Sequence, residues 1–569
     1  MAAATVTATA TAVPTWVACP QCRTPAFAPH LSRNLGVCGD CGHHHALAAG
    51  QRLAALLDPG SLRPIRPPAT VEDPLEFADT RPYRERLRDA RARTGLDDAV
   101  ACATGTLHGH RVTLAVLDFG FMGGSLGCAM GETLCHCAAL ARAQRTPLVL
   151  VCASGGARMQ EGALALMQLA KTSAALAELD EAGILTVSVI TDPTYGGVAA
   201  SFATLPDVVI AEPGARMGFA GPRVIKQTIG QELPEGFQTS EFLLKHGLID
   251  GVVERRALRG TLGRILAAAE PAAEPGAADD DDVADDDDDD DGLTRDPADL
   301  PERDAWQAVL GARKAGRPTT LDYIREFAGG FEELHGDRRG GDCPAIVGGL
   351  GMIAGRPAVI VGHQKGSTAQ ENVARNFGMP TPDGYRKAAR LFGLAAKLSL
   401  PVVTLIDTPG AYPGAEAEAC GQAFAIAENL RLMSGLPVPI VSVIIGEGGS
   451  GGALALGVAD RVIALSNAVY SVISPEGCAA ILWRNAARAP TAANALQVDA
   501  RQLLRLGVVD AVLTEPDGGA QAAPQATARR LGRAISHTLR DLARLDPALL
   551  VAARRDRFRR FGTLPVTPS

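Results

Sequence analysis

Pro147-Leu148-Val149-Leu150-Val151 runs through Cys152-Ala153 into Ser154-Gly155-Gly156-Ala157-Arg158, and 254 residues later Pro401-Val402-Val403-Thr404-Leu405 runs through Ile406-Asp407 into Thr408-Pro409-Gly410-Ala411-Tyr412. A short apolar, β-branched run that breaks into small residues reads as a strand buried on both faces that enters a turn. At the same offset Val187-Ser188-Val189-Ile190 recurs as Val441-Ser442-Val443-Ile444. Both copies then reach Gly-rich turns, Tyr195-Gly196-Gly197-Val198-Ala199 and Ser450-Gly451-Gly452-Ala453-Leu454. Further on, Leu244-Lys245-His246-Gly247-Leu248-Ile249-Asp250 is echoed by Leu504-Arg505-Leu506-Gly507-Val508-Val509-Asp510. Four matches in one order argue for two homologous domains. Ala/Leu-rich stretches at helical period separate the apolar runs, so each copy is expected to be α/β, with crossover helices joining its strands.

Length and composition bound the rest. A chain of 569 residues holds three or four ordinary domains, or fewer large ones. With 47% hydrophobic and 21% charged residues it is not disordered throughout. The formal charge of −8 becomes +3 once the eleven aspartates between Asp279 and Asp291 are set aside, so the acidity belongs to one segment. That segment repels itself and cannot bury apolar surface, and 270–300 is expected to be a disordered linker. The remaining near-neutral body lacks the strongly basic face of a dedicated nucleic-acid binder. Residues 1–16 read as a floppy tail, because the Ala/Thr-rich stretch has neither the basic start of a signal peptide nor the make-up of a membrane span. A soluble, cytoplasmic protein is expected, without membrane association.

Eight of the twelve cysteines are scattered singly. The other four, Cys19 and Cys22 with Cys38 and Cys41, form C-x2-C, fifteen residues and C-x2-C, the spacing of a zinc ribbon over 17–45. Four thiolates close the tetrahedral shell of zinc and leave no position for a substrate water, so one structural ion per chain is expected. A ribbon this short buries no core, and the metal should supply most of its folding free energy. His43, His44 and His45 follow at once. They read either as ligands of a catalytic metal or as a polar turn leaving the ribbon, and the saturated shell favours the turn.

Each copy places Gly-rich turns where a strand enters a helix. Such turns expose unpaired amides to an anion, and Gly permits close approach. The anion is a phosphate or the oxyanion of an enolate or urea carbonyl. Asp407-Thr408-Pro409-Gly410 looks like a GTPase turn, yet neither G-x-x-x-x-G-K-[ST] nor G-x-G-x-x-G with a ribose-binding acid is found. Ser154 and Cys152 have no His nearby in sequence to serve as a base. Paired turns serving as oxyanion holes remain, one hole per repeat.

These residues resemble a known family. The ribbon with Cys41-Gly42-His43-His44, the run Ala153-Ser154-Gly155-Gly156-Ala157-Arg158-Met159-Gln160-Glu161-Gly162, and Thr191-Asp192-Pro193-Thr194-Tyr195-Gly196-Gly197-Val198 resemble the β subunit of bacterial acetyl-CoA carboxylase carboxyltransferase. Gly362-His363-Gln364-Lys365-Gly366, Asn376-Phe377-Gly378-Met379-Pro380, Ile406 to Gly414, Ile445 to Gly452, and Tyr470 to Gly477 resemble its α subunit. The chain is thus similar to a β–α fusion, with the β-like domain at 46–269 and the α-like domain at 301–569. It departs from the usual pattern in the fusion itself, in the Asp-rich linker, and in Ser367-Thr368-Ala369-Gln370 after Lys365, a segment usually more charged.

The resemblance implies two tandem crotonase-like domains behind the zinc ribbon. It also implies transfer of a carboxyl group from carboxybiotin, borne by a biotin carboxyl carrier protein, to acetyl-CoA, giving malonyl-CoA for fatty-acid biosynthesis. Acyl-CoA would lie mainly on the β side and biotin enter mainly from the α side. By the family's pattern, amides of Gly196 and Gly197 would hold the thioester enolate, and those of Gly451 and Gly452 the ureido oxygen of biotin. Turns at Gly155-Gly156 and Gly410-Ala411 would shape the acyl and biotin pockets, with Arg158 and Lys365 as contacts to CoA or carboxylate. No Met-Lys-Met biotin site and no ATP-grasp-like domain is recognised, so carrier and biotin carboxylase are expected as separate partners. A homodimer, equivalent to two α and two β, is expected. A second reading is a propionyl-CoA or other acyl-CoA carboxyltransferase. A third, from another class, is a zinc-ribbon nucleic-acid-binding regulator; it requires a dense basic and aromatic patch, where only Arg23, Arg33 and Arg52 with Trp16 and Phe27 occur.

Overall fold

The computed structural model describes residues 16–270 and 291–561. The expected tail up to residue 15 and the expected linker over 271–290 lie outside the described residues. The described residues divide into two units: 16–178 with 186–242 and 252–262, and 179–185 with 243–251, 263–270 and 291–561.

In the first unit a two-stranded ribbon, β1 (Trp16–Ala18) and β2 (Pro25–Phe27), precedes a sheet. The sheet holds β3 (Arg63–Pro64), β4 (Val100–Leu107), β5 (His110–Leu117), β6 (Leu148–Ser154), β7 (Thr186–Tyr195), β8 (Val208–Ala211), β9 (Met217–Gly218) and β10 (Gly251–Val252). Their order is β10-β8-β7-β6-β5-β4-β3, with β9 beside the end of β7. The strands from β5 to β8 run parallel, and β4 returns antiparallel on β5.

The second unit repeats this arrangement. Its strands are β11 (Leu293–Thr294), β12 (Ala328–Glu333), β13 (Ile346–Ile353), β14 (Arg356–His363), β15 (Val402–Thr408), β16 (Ile440–Gly449), β17 (Arg461–Leu465), β18 (Val469–Ser471) and β19 (Ala511–Leu513). The order β11-β19-β17-β16-β15-β14-β13-β12, with β18 beside β16, matches the first sheet strand for strand and adds β11 at one edge. That strand pairs Leu293 with Leu513 and Thr294 with Val512, so the expected linker to 300 ends earlier. Once the aspartates stop at Asp291, apolar Leu293 can pair, and Asp296 caps the turn Pro297–Asp299 through the Ala298 amide.

The chemistry of the central strands explains the repeat. β6, β7, β15 and β16 hold Val, Ile and Leu with both faces covered, and Val149, Val151, Val187, Val189, Val403 and Val441 are fully buried. Each such side chain contributes about 1.5–3 kcal/mol of transfer free energy. Pro147 and Pro401, which lack an N–H, stand just before β6 and β15 and offer only their carbonyls, to Thr113 and Val359. Cα partners Leu148–Thr186 and Val402–Ile440 keep the 254-residue offset. Among the described residues, no helix is long and apolar enough to cross a membrane.

Candidate active site

The four ribbon cysteines converge, with all four Sγ atoms within 4.8 Å of one another. Cys19 and Cys41 are 3.7 Å apart and Cys22 and Cys38 are 3.8 Å apart. A tetrahedron built on Zn–S bonds of about 2.3 Å has edges of about 3.8 Å, so the donor set fits zinc. His43, His44 and His45 stand outside this cluster. His44 instead lies with Nδ1 3.4 Å from Glu212 Oε2.

Glu212, 2% exposed, ties the ribbon to the body of the first unit. It accepts from Arg52 at 2.7 and 3.2 Å and from Arg255 Nε at 2.7 Å. Arg255 also donates to the carbonyls of Leu35 and His45, within the ribbon segment, at 2.8 and 2.9 Å. Burial alone would raise the Glu212 carboxyl, but Arg255, His44 and Arg52 outweigh it and hold it far below the carboxylate range.

In each unit two central strands part at their ends, where the Gly-rich turns begin. Between β6 and β7 the pairing Cys152–Ile190 resumes as Ser154–Thr194, leaving one residue against three. Between β15 and β16 the pairing Ile406–Ile444 resumes as Thr408–Gly448 with the same slip. Beyond it the Ser154 hydroxyl accepts the Gly156 amide at 3.0 Å, and the Thr408 hydroxyl accepts the Gly410 amide at 3.0 Å. Both glycines need positive φ, +120° and +148°. The second strands end in left-handed Gly196 (φ +59°) and Ser450 (φ +58°).

Register therefore equates Gly196 with Ser450 and Gly197 with Gly451. The second Gly-Gly pair in sequence is shifted by one residue against the first.

This geometry sorts the amides. The Gly155 amide is used by Gly123 O at 2.8 Å, and the Gly196 amide by Phe219 O at 3.1 Å. The Gly196 amide, expected as an oxyanion donor, is engaged here because β9 pairs alongside β7 and carries Phe219 to it. Gly197 is different, since a first-turn amide has no intrahelical acceptor. Gly451 and Gly452 hold the same first-turn positions in the helix Ser450–Leu454.

The turns also meet within each unit. A Cβ at Gly156 would lie 3.5 Å from Gly196 Cα and 3.8 Å from Gly197 N, and one at Gly452 would collide with the amide nitrogen of Ala411. The Gly452 carbonyl accepts from Tyr385 Oη at 3.2 Å.

The two expected cationic contacts are committed elsewhere. Arg158 is 1% exposed, and its guanidinium donates to both Asp98 oxygens at 2.7 Å, to Ser125 Oγ and O, and to Tyr83 Oη. Its donors are thus spent inside the first unit. Lys365 donates to Asp407 Oδ1 at 2.7 Å and to Glu447 Oε2 at 2.9 Å. Burial would push its ammonium down, but the two carboxylates outweigh it and raise it above its ordinary value. Sequence reasoning missed Ser154, Thr408, Asp98, Asp407 and Glu447. The shared offset marks the first two; the others are set by contacts distant in sequence.

A family model described as acetyl co-enzyme A carboxylase carboxyltransferase-like matches residues 300–562. The acetyl-coenzyme A carboxylase carboxyl transferase subunits beta/alpha of Parafrankia sp. (strain EAN1pec) is 59% identical over 560 residues, 96% of this chain and 91% of the relative. Its counterpart in Clostridium tetani is 43% identical, over 96% of this chain and 93% of the relative. The separate alpha subunit of Thermus thermophilus is 55% identical over 259 residues, 46% of this chain and 81% of that subunit. Among solved structures, the transcarboxylase 12S crystal structure with methylmalonyl-coenzyme A and methylmalonic acid bound is similar with a TM-score of 0.66 at 24% identity, over 86% of this chain and 89% of that one. A single-chain, multi-domain long-chain acyl-CoA carboxylase gives 0.63 at 20%, over 85% of this chain and 45% of that one. These likenesses carry the fold, and each unit is crotonase-like. With curated relatives at 59% identity along nearly its whole length, the chain belongs to the acetyl-coenzyme A carboxylase carboxyl transferase family, in the form that joins beta and alpha subunits.

Proposed function

We propose that this chain is the carboxyltransferase of an acetyl-CoA carboxylase and moves a carboxyl group from carboxybiotin to acetyl-CoA, giving malonyl-CoA. The observation that carries the reading is the duplicated turn pair. Gly156 and Gly410 bend under a Ser or Thr hydroxyl, opposite left-handed Gly196 and Ser450, and the next residues, Gly197 and Gly451, present first-turn amides. In the reaction the N–carboxyl bond of carboxybiotin breaks and charge gathers on the ureido oxygen. A proton leaves the acetyl methyl for the biotin nitrogen, charge gathers on the thioester oxygen, and the enolate carbon bonds to the released carboxyl carbon. Two oxyanions need two sets of donors, and no side-chain nucleophile is required.

Gly197 is assigned to the enolate, and Gly451, Gly452 and Ala411 to the ureido oxygen. Such a donor is worth about 2.7–4 kcal/mol of transition-state stabilisation. Gly156 and Gly410 are assigned to keeping ligand approach open, since a methyl there meets strained backbone. Cys19, Cys22, Cys38 and Cys41 would hold one zinc ion per chain, which when bound supplies structure by filling its shell with thiolates. A biotin carboxyl carrier protein and a biotin carboxylase are the proposed partners, a homodimer the proposed assembly and the cytoplasm the proposed setting. The test is forward transfer: incubated with carboxylated carrier, the chain should convert acetyl-CoA to malonyl-CoA faster than propionyl-CoA to methylmalonyl-CoA. The reverse preference overturns the substrate assignment.

A further inference from the structure

The gap between β15 and β16 is closed by charge, whereas its counterpart in the first unit is closed by hydroxyls. Between β6 and β7, Thr191 Oγ1 and Thr194 Oγ1 donate to Cys152 O at 2.7 and 3.1 Å. The residues facing each other across that slip, Ala153 and Pro193, carry no charge. At the same offset the second unit has Asp407 and Glu447. The Glu447 amide donates to Asp407 Oδ1 at 2.9 Å, and Lys365 bridges both carboxylates. Arg313 Nε holds the remaining Glu447 oxygen at 2.6 Å. A Cβ on Gly446 would strike the Asp407 carboxylate, and one on Gly378 would lie 2.7 Å from Lys365 Cγ, so glycines on both sides let the cluster close.

The position of these residues gives the cluster its meaning. Asp407 immediately precedes Thr408, whose hydroxyl bends the Gly410-Ala411 turn. Glu447 lies three residues before Ser450, which opens the helix bearing the Gly451 amide. Without Lys365 two carboxylates would face each other in a largely buried gap and repel. We propose that Lys365 is a positioning residue for the biotin side of the reaction: by bridging Asp407 and Glu447 it fixes the spacing between the Gly410-Ala411 turn and the Gly451 amide. This rests on the reading of the second unit as the site of the ureido oxygen.

The test is steady-state kinetics of the full zinc-loaded chain in reverse, with malonyl-CoA and biocytin as substrates. A donor misplaced by about 1 Å costs on the order of 10²-fold, so Lys365→Met should lower kcat by about that factor. It should also raise the KM for biocytin while leaving the KM for malonyl-CoA at its wild-type value. Should that variant not fold, Glu447→Gln, which keeps the side chain's shape, should show the same split to a smaller degree. Wild-type kinetics in the variants, or equal rises in both KM values, overturn the positioning role. A wild-type chain that makes no acetyl-CoA from this substrate pair instead refutes the underlying reading.

Discussion

Arg158 grips both carboxylate oxygens of Asp98 at 2.7 Å inside the first unit, sixty residues away in sequence, and neither side chain is more than 6% exposed. The pair holds the arginine beside the Gly-Gly turn, with Ser125 and Tyr83 taking its other donors. Removing one partner of a buried ion pair strands the other charge. Asp98→Ala should therefore destabilise the first unit by about 3–5 kcal/mol, read as a shift of its urea midpoint. A variant of wild-type stability with a raised KM for malonyl-CoA would return Arg158 to the substrate.

Adjacent glycines at the second turn should behave oppositely. A Cβ at Gly451 meets only Ile426 Cγ2, at 3.8 Å, whereas one at Gly452 lies 2.8 Å from Tyr385 Oη and collides with the Ala411 amide nitrogen. Gly451→Val keeps the N–H but crowds the approach to it, and is expected to keep its Tm and lose about 10²–10³ in kcat, as when an oxyanion donor goes unused. Gly452→Ala should lower Tm through overpacking worth about 1–3 kcal/mol. Thermal melts and turnover on the same samples separate the two.

The ribbon should depend on its metal. Sγ separations of 3.7 and 3.8 Å suit four thiolates around one ion, and binding worth about 10–16 kcal/mol is folding free energy for so small a module. Zinc content should be one per chain, and Cys38→Ser should bring it to zero and open Arg23 and Arg33 to trypsin. A metal-free chain with unchanged protease resistance would contradict this.

Acid should weaken the second unit in a defined window. His363 is fully buried, and burial pushes its ring down to about 3. An unfolded His titrates near about 6.5, so between those values the unfolded chain binds a proton that the folded one refuses. Stability is then full above about 6.5 and falls with pH by up to about 1.4 kcal/mol per unit. Urea midpoints measured across the window should fall more steeply in the wild type than in His363→Gln.

The duplicated fold was legible because its signal is local and repeated. Val187-Ser188-Val189-Ile190 and its copy need no partner to read as buried strands, and register keeps their offset. The ribbon was legible because C-x2-C fixes ligand geometry within one turn. Which amides stay free was not legible. Gly196 loses its N–H to Phe219, a contact made by the parallel pairing of β9 that no local pattern announces. The Gly-Gly letters also misled by one residue, since Ser450, not a glycine, takes the left-handed position of Gly196. Lys365 and Arg158 were expected as contacts to CoA or carboxylate, and their protein partners were not legible because those acids, Asp407, Glu447 and Asp98, lie tens of residues away.

The most direct measurement is acetyl-CoA formation by the purified, zinc-loaded chain given malonyl-CoA and biocytin, beside Gly197→Val and Gly451→Val. The account predicts turnover by the wild type and a loss of about 10²–10³ in each variant, because each removes access to one of two separate oxyanion donors. No turnover by the wild type, or undiminished turnover by both variants, would contradict it.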